Sequence, residues 1–413
     1  MQPTLTEQRL IGLARTLTHV REHSPFYRGL ISAGEIGPAD APALLRALPR
    51  LDPHSWASNR ARLRTTSPGS VVTGFTNGTS GVPKAFCSTE TERAALRASR
   101  RDDGRRRLHL AGVSHGAVVG LDLAEEGDFV PLLSMRYADM AADLIAHGAA
   151  DGTRIRVLVG TTRHIKILTL HMLRRFGDLS GFGIETVEIG RDFLSPAWET
   201  RLRTWWGADV ENVYGFSELR MCNARKCRTC AHHHFPPSCV AEVVDPTDPD
   251  RYVPLGGRGS LLVTALHPYV EFEPRIRYRP GDMVQLAPHP CPQWGEPGFL
   301  PLGREAHCVT ADENGGYLTP ADCVSVLADL PQVAVAFDHL YPDTDRHHYE
   351  AGNPRFRLVD NGSGPEVHVE LRFDPLVWPD RADGVSATIR DALTVDARVV
   401  LYGPDRLDDP ILV

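Results

Sequence analysis

Lysine is nearly absent from this chain. Of its 45 lysines and arginines only three are lysine, Lys84, Lys166 and Lys226, in a length of 413 residues. The formal net charge is −7, so there is no general excess of basic residues to neutralise nucleic-acid phosphates. Eight cysteines in a chain this long do not make a disulfide scaffold. No uninterrupted apolar run is long enough to span a bilayer. The amino terminus, MQPTLTEQRLIGLARTL, is amphipathic and carries acid, which predicts a surface helix and not a secretion signal. These absences predict a cytoplasmic protein with neither nucleic-acid nor membrane partners. The length exceeds one compact core and predicts two or three domains, without internal repeats or low-complexity tracts. One basic cluster stands out, RRDDGRRR from Arg100 to Arg107. It reads as a solvated helix end and turn, with contact to a phosphate-bearing cosubstrate as the sharper alternative.

Periodicity divides the chain. Residues 1–66 are helical in pattern, and VVTGFTNGTSGVPKAFCS then places a glycine-rich loop between two short apolar stretches. Strand and helix patterns alternate from RIRVLVGT (154–161) to DVENVYGF, which predicts a largely parallel sheet. After Glu218 the texture becomes cysteine-rich, followed by antiparallel strand patterns in AEVVD, SLLVTAL and RIRYRPGDMVQL. Beyond PLGREAH the last stretch of about 110 residues reads as a small α+β unit.

Four segments carry chemistry. In TNGTSGVPK (76–84), glycines let backbone N–H groups converge, hydroxyls add donors and Lys84 adds a point charge, a set suited to a triphosphate. It is not the P-loop of NTPases, because Pro83 precedes the lysine and Ala85 follows it. A mobile surface loop is the bland reading of this segment taken alone. VYGFSELR (213–220) offers an aromatic for a base, a hydroxyl for a phosphate and Glu218 for Mg²⁺. RYRPGD sets Asp282 after a tight turn, where a carboxylate can accept both ribose hydroxyls. LGRE presents Arg304 at the start of the last stretch.

In this order these segments resemble the adenylate-forming superfamily of acyl-CoA synthetases and adenylation domains, most closely its phenylacetate–coenzyme A ligase branch. SPFYRGL and ALPRLDPHSW resemble that branch's opening helices. The resemblance implies an α/β fold with a large N-terminal adenylation domain of mixed sheets (1–303) and a small α+β C-terminal domain (304–413) joined by a hinge. It also implies two steps: a carboxylate displaces pyrophosphate from MgATP to give an acyl-adenylate, and a nucleophile, commonly the coenzyme A thiol, then displaces AMP. Carried over by position, Thr76, Gly78, Thr79, Ser80, Gly81 and Lys84 cradle the β- and γ-phosphates. Tyr214 lies against adenine beside Gly215, Ser217 meets the α-phosphate, Glu218 binds Mg²⁺, Asp282 holds the ribose, Arg304 sits at the hinge, and Gly190 marks an adenine-contacting turn. The partners implied are a carboxylic acid, aromatic or small, and an acceptor; pairing into a homodimer is common among such relatives. The acyl pocket is expected between the 110–140 region, where His115 lies, and the segment near Gly190.

The pattern also breaks. Ala306 stands where the family usually has an aspartate after the hinge arginine. The family's C-terminal tail carries a lysine that reaches the carboxylate and α-phosphate, yet VVLYGPDRLDDPILV contains none, and its place falls near Pro410. The alternatives are therefore an adenylate-dependent amide or N–N bond-forming ligase, or a nucleotide-binding pseudoenzyme. The segment CNARKCRTCAHHHFPPSC contains C-x₄-C-x₂-C, three histidines and a fourth cysteine, a spacing suited to tetrahedral zinc. Relatives in the branch can hold a structural metal between this loop and a Cys-x-Cys-Gly hairpin. Here that hairpin reads CPQWG, which implies Cys227, Cys230, His234 and Cys291 as ligands, with Cys222 and Cys239 in reserve. Unrelated thiols and a solvated histidine turn are the plain alternative.

Overall fold

The computed structural model describes every residue except 1–4, 66–70, 76–84, 100–102, 112–127, 132–134, 191, 220–221, 249, 312–315, 337–348 and 412–413. The expected phosphate loop Thr76–Lys84 and His115 lie outside the described residues, as do the first three residues of the basic cluster. The chain divides into two compact units, one of Met1–Asp103 with Val213–Pro301, the other of Gly104–Asn212 with Leu302–Val413. Both units mix helices with sheet, an α/β architecture. Among the described residues no helix is long and apolar enough to cross a membrane.

In the first unit the opening helix, Glu7–His23, buries Leu13, Leu17 and Val20 at helical spacing. The helix Pro53–Leu63 starts on Asp52, whose carboxylate accepts the N–H of Ser55 at 2.7 Å. Both pack into one core with Tyr27, Trp56, Phe235, Tyr278 and Phe299. The glycine-rich segment is framed by a hairpin in which Val71–Phe75 pairs antiparallel with Ala85–Thr89, Phe75 opposite Ala85. Cys239–Val244, Arg258–Ala265 and Asp282–Leu286 pair antiparallel in that order, as their alternation predicts. Next across this sheet come Phe299–Arg304, His233–His234, Ala224–Lys226 and Asp209–Tyr214.

In the second unit Thr186–Gly190, Val157–Thr161, Arg107–Ala111 and Asp128–Pro131 lie side by side and parallel. The helix Thr162–Phe176 follows its strand directly and buries Ile165, Leu168 and Met172 with Trp198, Leu202 and Trp206 of Pro196–Trp206. The C-terminal stretch has a separate core. Its sheet pairs Phe356–Asp360 antiparallel and Arg398–Tyr402 parallel to Pro365–Glu370, and Val367 and Val369 pack on Val385 and Ile389 of the helix Pro379–Ala392. Of the strand expected in QVAVAFDHL, Val335–Ala336 is seen, paired with Asn353–Pro354, and the segment from 337 on lies outside the described residues.

Candidate active site and metal centre

Tyr214 ends its strand and Asp282 opens another, and the two side chains meet. The tyrosine hydroxyl donates to Asp282 Oδ2 at 2.6 Å. Gly281, at φ 87°, supplies the left-handed turn that delivers Asp282 to the strand. Rings of Phe216, Phe299, Phe235 and His233 surround Tyr214, at centroid distances of 5.3, 5.3, 6.2 and 6.4 Å. Gly215 follows; a Cβ there would stand 2.0 Å from Asn223 Oδ1, so a larger residue would have to displace that side chain. Ser217 and Glu218 then lie in the short 3₁₀ turn Ser217–Leu219, which fully buried Leu219 anchors. The Tyr278 hydroxyl donates to Glu218 Oε1 at 2.9 Å. Tyr278 is a residue that sequence reading missed, since its aromatic ring looks like simple core filling.

The hairpin that frames residues 76–84 is tied down by two acids that sequence reading also missed. Glu273 Oε2 accepts the backbone N–H of Cys87 at 2.9 Å, and its Oε1 accepts Arg60 and Arg64 at 2.7 and 2.9 Å. Burial opposes ionisation of Glu273, but Arg60 and its other donors outweigh it and hold the carboxyl below its ordinary range. Glu92 accepts the N–H groups of Thr89, Glu271 and Phe272 at 3.0, 2.6 and 3.0 Å. Burial nevertheless keeps its carboxyl above the ordinary range. The alternating acids of YVEFEP were the visible signal for Glu273.

The remaining expected residues belong to the second unit. Gly190 closes Thr186–Gly190 opposite Thr161. Arg304 closes Phe299–Arg304 and precedes the turn Glu305–His307, which contains Ala306. Gly303, at φ 110°, has Pro320 2.9 Å from where a Cβ would be, so the chain passes this point only as glycine. The lysine-free tail is fastened to the C-terminal sheet. Glu370 accepts the N–H groups of Asp405 and Leu407, both at 3.1 Å, and the Ile411 N–H donates to Phe356 O at 2.8 Å. Arg406, between the two Glu370 contacts, is exposed.

The cysteine-rich loop forms a compact donor set. Ligand atoms of Cys227, Cys230, His234 and Cys291 all lie within 4.8 Å of one another. The Cys227 and Cys291 sulfurs are 3.9 Å apart, close to the tetrahedral edge of about 3.8 Å expected for Zn–S bonds of about 2.3 Å. Cys230 Sγ lies 3.1 Å from His234 Nε2, and the His234 ring stacks on Trp294 at 5.1 Å. Gln293, in place of a second hairpin cysteine, puts Oε1 3.3 Å from Cys227 Sγ. Burial opposes ionisation of Cys227, yet the backbone N–H groups of Cys230 and Thr229 outweigh it and bring the thiol down to about 7. Burial, with Cys291 and Cys227 alongside, pushes Cys230 up to about 11. The two reserve cysteines are elsewhere: Cys222 and Cys239 are fully buried in the core, where desolvation and each other's proximity raise the Cys222 thiol.

No family model and no curated protein matches the chain. Solved structures do. A 2-hydroxyisobutyryl-CoA ligase in the postadenylation state, in complex with 2-HIB-AMP, aligns with a TM-score of 0.68 at 18% identity, over 97% of this chain and 86% of that one. The fold is that of the acyl-CoA ligases. ATP-bound MatB from Rhodopseudomonas palustris matches this ligase fold with a TM-score of 0.54 at 18% identity, over 80% of this chain and 63% of that one. A benzoate CoA ligase from Burkholderia xenovorans matches with 0.53 at 15%, over 82% and 66%. At such identities the likeness carries the ligase fold and leaves the chemistry to the residues.

Proposed function

We propose that the chain activates a carboxylic acid, aromatic or small, with MgATP as an acyl-adenylate and passes the acyl group to coenzyme A. The observation that carries this reading is the Tyr214–Asp282 pair, with Glu218 aimed by Tyr278 in the adjoining turn, on a fold whose solved representatives include an ATP-bound enzyme and one bound to an acyl-AMP. In the first step a carboxylate oxygen bonds to the α-phosphorus and pyrophosphate leaves. In the second the thiol sulfur bonds to the acyl carbon, its proton is lost and AMP leaves. Asp282 accepts the ribose hydroxyls, Tyr214 lies against the adenine, and Ser217 meets the α-phosphate. Thr76, Gly78, Thr79, Ser80, Gly81 and Lys84 cradle the β- and γ-phosphates that leave as pyrophosphate, and Arg304 is the pivot of residues 304–413. Glu218, supported by Tyr278, would hold Mg²⁺, which supplies charge neutralisation at the phosphates. Such catalysis is positioning and electrostatics, and needs no covalent intermediate on the protein.

Cys227, Cys230, His234 and Cys291 fit zinc in a closed site of three thiolates and one imidazole. With all four positions supplied by the protein, that site is structural. A second reading, a nucleotide-binding protein that has lost turnover, is supported by Pro410, near which the family's tail lysine would fall. Pyrophosphate release over a panel of carboxylic acids separates the two. Acid-dependent release supports the ligase, and adding coenzyme A or amines then identifies the acceptor. AMP or ATP binding without release supports the second reading.

A further inference from the structure

The strand His233–His234 faces two ways. It is two residues long, and successive side chains of a strand point to opposite faces. His234 turns to the donor set, with Nε2 3.1 Å from Cys230 Sγ and its ring on Trp294. His233 turns to the other face, where its ring lies 6.4 Å from that of Tyr214 and 5.8 Å from that of Phe299. It is 3% exposed, and among the described residues neither ring nitrogen makes a well-formed hydrogen bond. The place of this ring is therefore set by packing and by the backbone that carries it. That backbone is a two-residue strand held by its neighbours in the sheet. It pairs through Arg225↔His234 and Lys226↔His233 on one side and Phe299↔His233 on the other. The loop before it runs through both Cys227 and Cys230, and Ala231 in that loop sits at φ 60°, a conformation disfavoured for alanine. The donor set around His234 offers so short a strand a further hold once a metal joins its four members.

We propose that metal bound by Cys227, Cys230, His234 and Cys291 sets the affinity of the chain for adenine nucleotides, by fixing through His233 the aromatic wall behind Tyr214 and so the Tyr214–Asp282 pair. His233 is a positioning residue in this scheme: it touches Tyr214 and not the nucleotide. The inference rests on the nucleotide role proposed above for Tyr214 and Asp282.

The test is AMP binding by calorimetry on the full chain, zinc-loaded and after chelation, with circular dichroism to follow folding. Chelation is expected to raise the Kd for AMP by about tenfold, as loss of a supporting shell commonly does, and zinc or cobalt to restore it. Cobalt adds the visible absorption of a tetrahedral thiolate site as an independent measure of occupancy. In zinc-loaded protein His233→Ala should weaken AMP binding at full metal content. His233→Phe, which keeps the ring, should bind like the parent. Gly298→Ala should lose metal and AMP affinity together, because a Cβ there would stand 2.7 Å from His234 Nε2. Unchanged AMP affinity after chelation overturns the inference, as does failure to take up zinc or cobalt. If chelation unfolds the chain, His233→Ala decides, and AMP affinity equal to the parent's at full metal content overturns it. A zinc-loaded parent that binds no AMP removes the proposed function and this inference together, whereas AMP binding indifferent to metal removes the inference alone.

Discussion

Glu218 shows how little of a carboxylate's setting is written next to it. The residue that aims it, Tyr278, is sixty positions further along and donates at 2.9 Å. Tyr278→Phe keeps the ring in the core and removes only that hydroxyl. Acid-dependent pyrophosphate release is expected to fall by about tenfold, in line with a lost hydrogen bond of about 1.4 kcal/mol, with little change in stability. Glu218→Ala should cost more, on the order of a hundredfold in the same assay. Lys166 illustrates the opposite case, a charge with a cost. It is 3% exposed and its ammonium lies 4.8 Å from the centre of the Trp198 ring. Burial pushes it down to about 8. The folded chain therefore sheds this proton at lower pH than the unfolded chain, whose lysine titrates near about 10.4. Lys166 opposes folding in full below about pH 8, and the penalty fades as pH rises toward the unfolded value. Lys166→Met should raise unfolding free energy at pH 7 by on the order of 1–3 kcal/mol in denaturant titrations, with a smaller gain at pH 10.

Among the elements, the hairpin Val71–Phe75 and Ala85–Thr89 depends on a partner far away in sequence. Glu273 binds its Cys87 N–H together with Arg60 and Arg64 of the helix Pro53–Leu63 and its C-terminal edge. Glu273→Ala would strand both guanidiniums, one half-buried, and remove the tie. A loss of about 3 kcal/mol is expected in equilibrium unfolding, the range for breaking a buried ion pair from one side. The strands Val157–Thr161 and Thr186–Gly190 and the helices Thr162–Phe176 and Pro196–Trp206 were legible in the sequence because their apolar periods are short-range, whereas the pairing of the hairpin and the strands Arg107–Ala111 and Asp128–Pro131 were not. The Glu273 and Glu92 ties were not, since nothing local tells a buried acid from a solvated one.

For the whole molecule, metal content should follow pH. Zinc binds thiolates, so it displaces protons from any ligand cysteine still protonated. Cys227, down at about 7, is protonated at pH 6 and mostly ionised at pH 8, whereas Cys230, up at about 11, is protonated at both. Zinc binding should therefore release more protons at pH 6 than at pH 8 and be weaker at the lower pH. Calorimetry in buffers of different ionisation enthalpy measures both, and equal proton release at the two values would reject Cys227 as a ligand.

The sequence by itself determined many of the elements, the order of the candidate segments and the choice of Cys227, Cys230, His234 and Cys291, which the fold brings together, because each is set by local periodicity or by a motif of a few residues. It also settled that the tail carries no lysine. Only tertiary structure decided that Cys222 and Cys239 belong to the core, that Tyr278 aims Glu218, and that Glu370 fastens the tail on either side of Arg406. Those outcomes depend on which side chains are desolvated together. Desolvation is a property of the packed whole, and no short stretch of the chain records it.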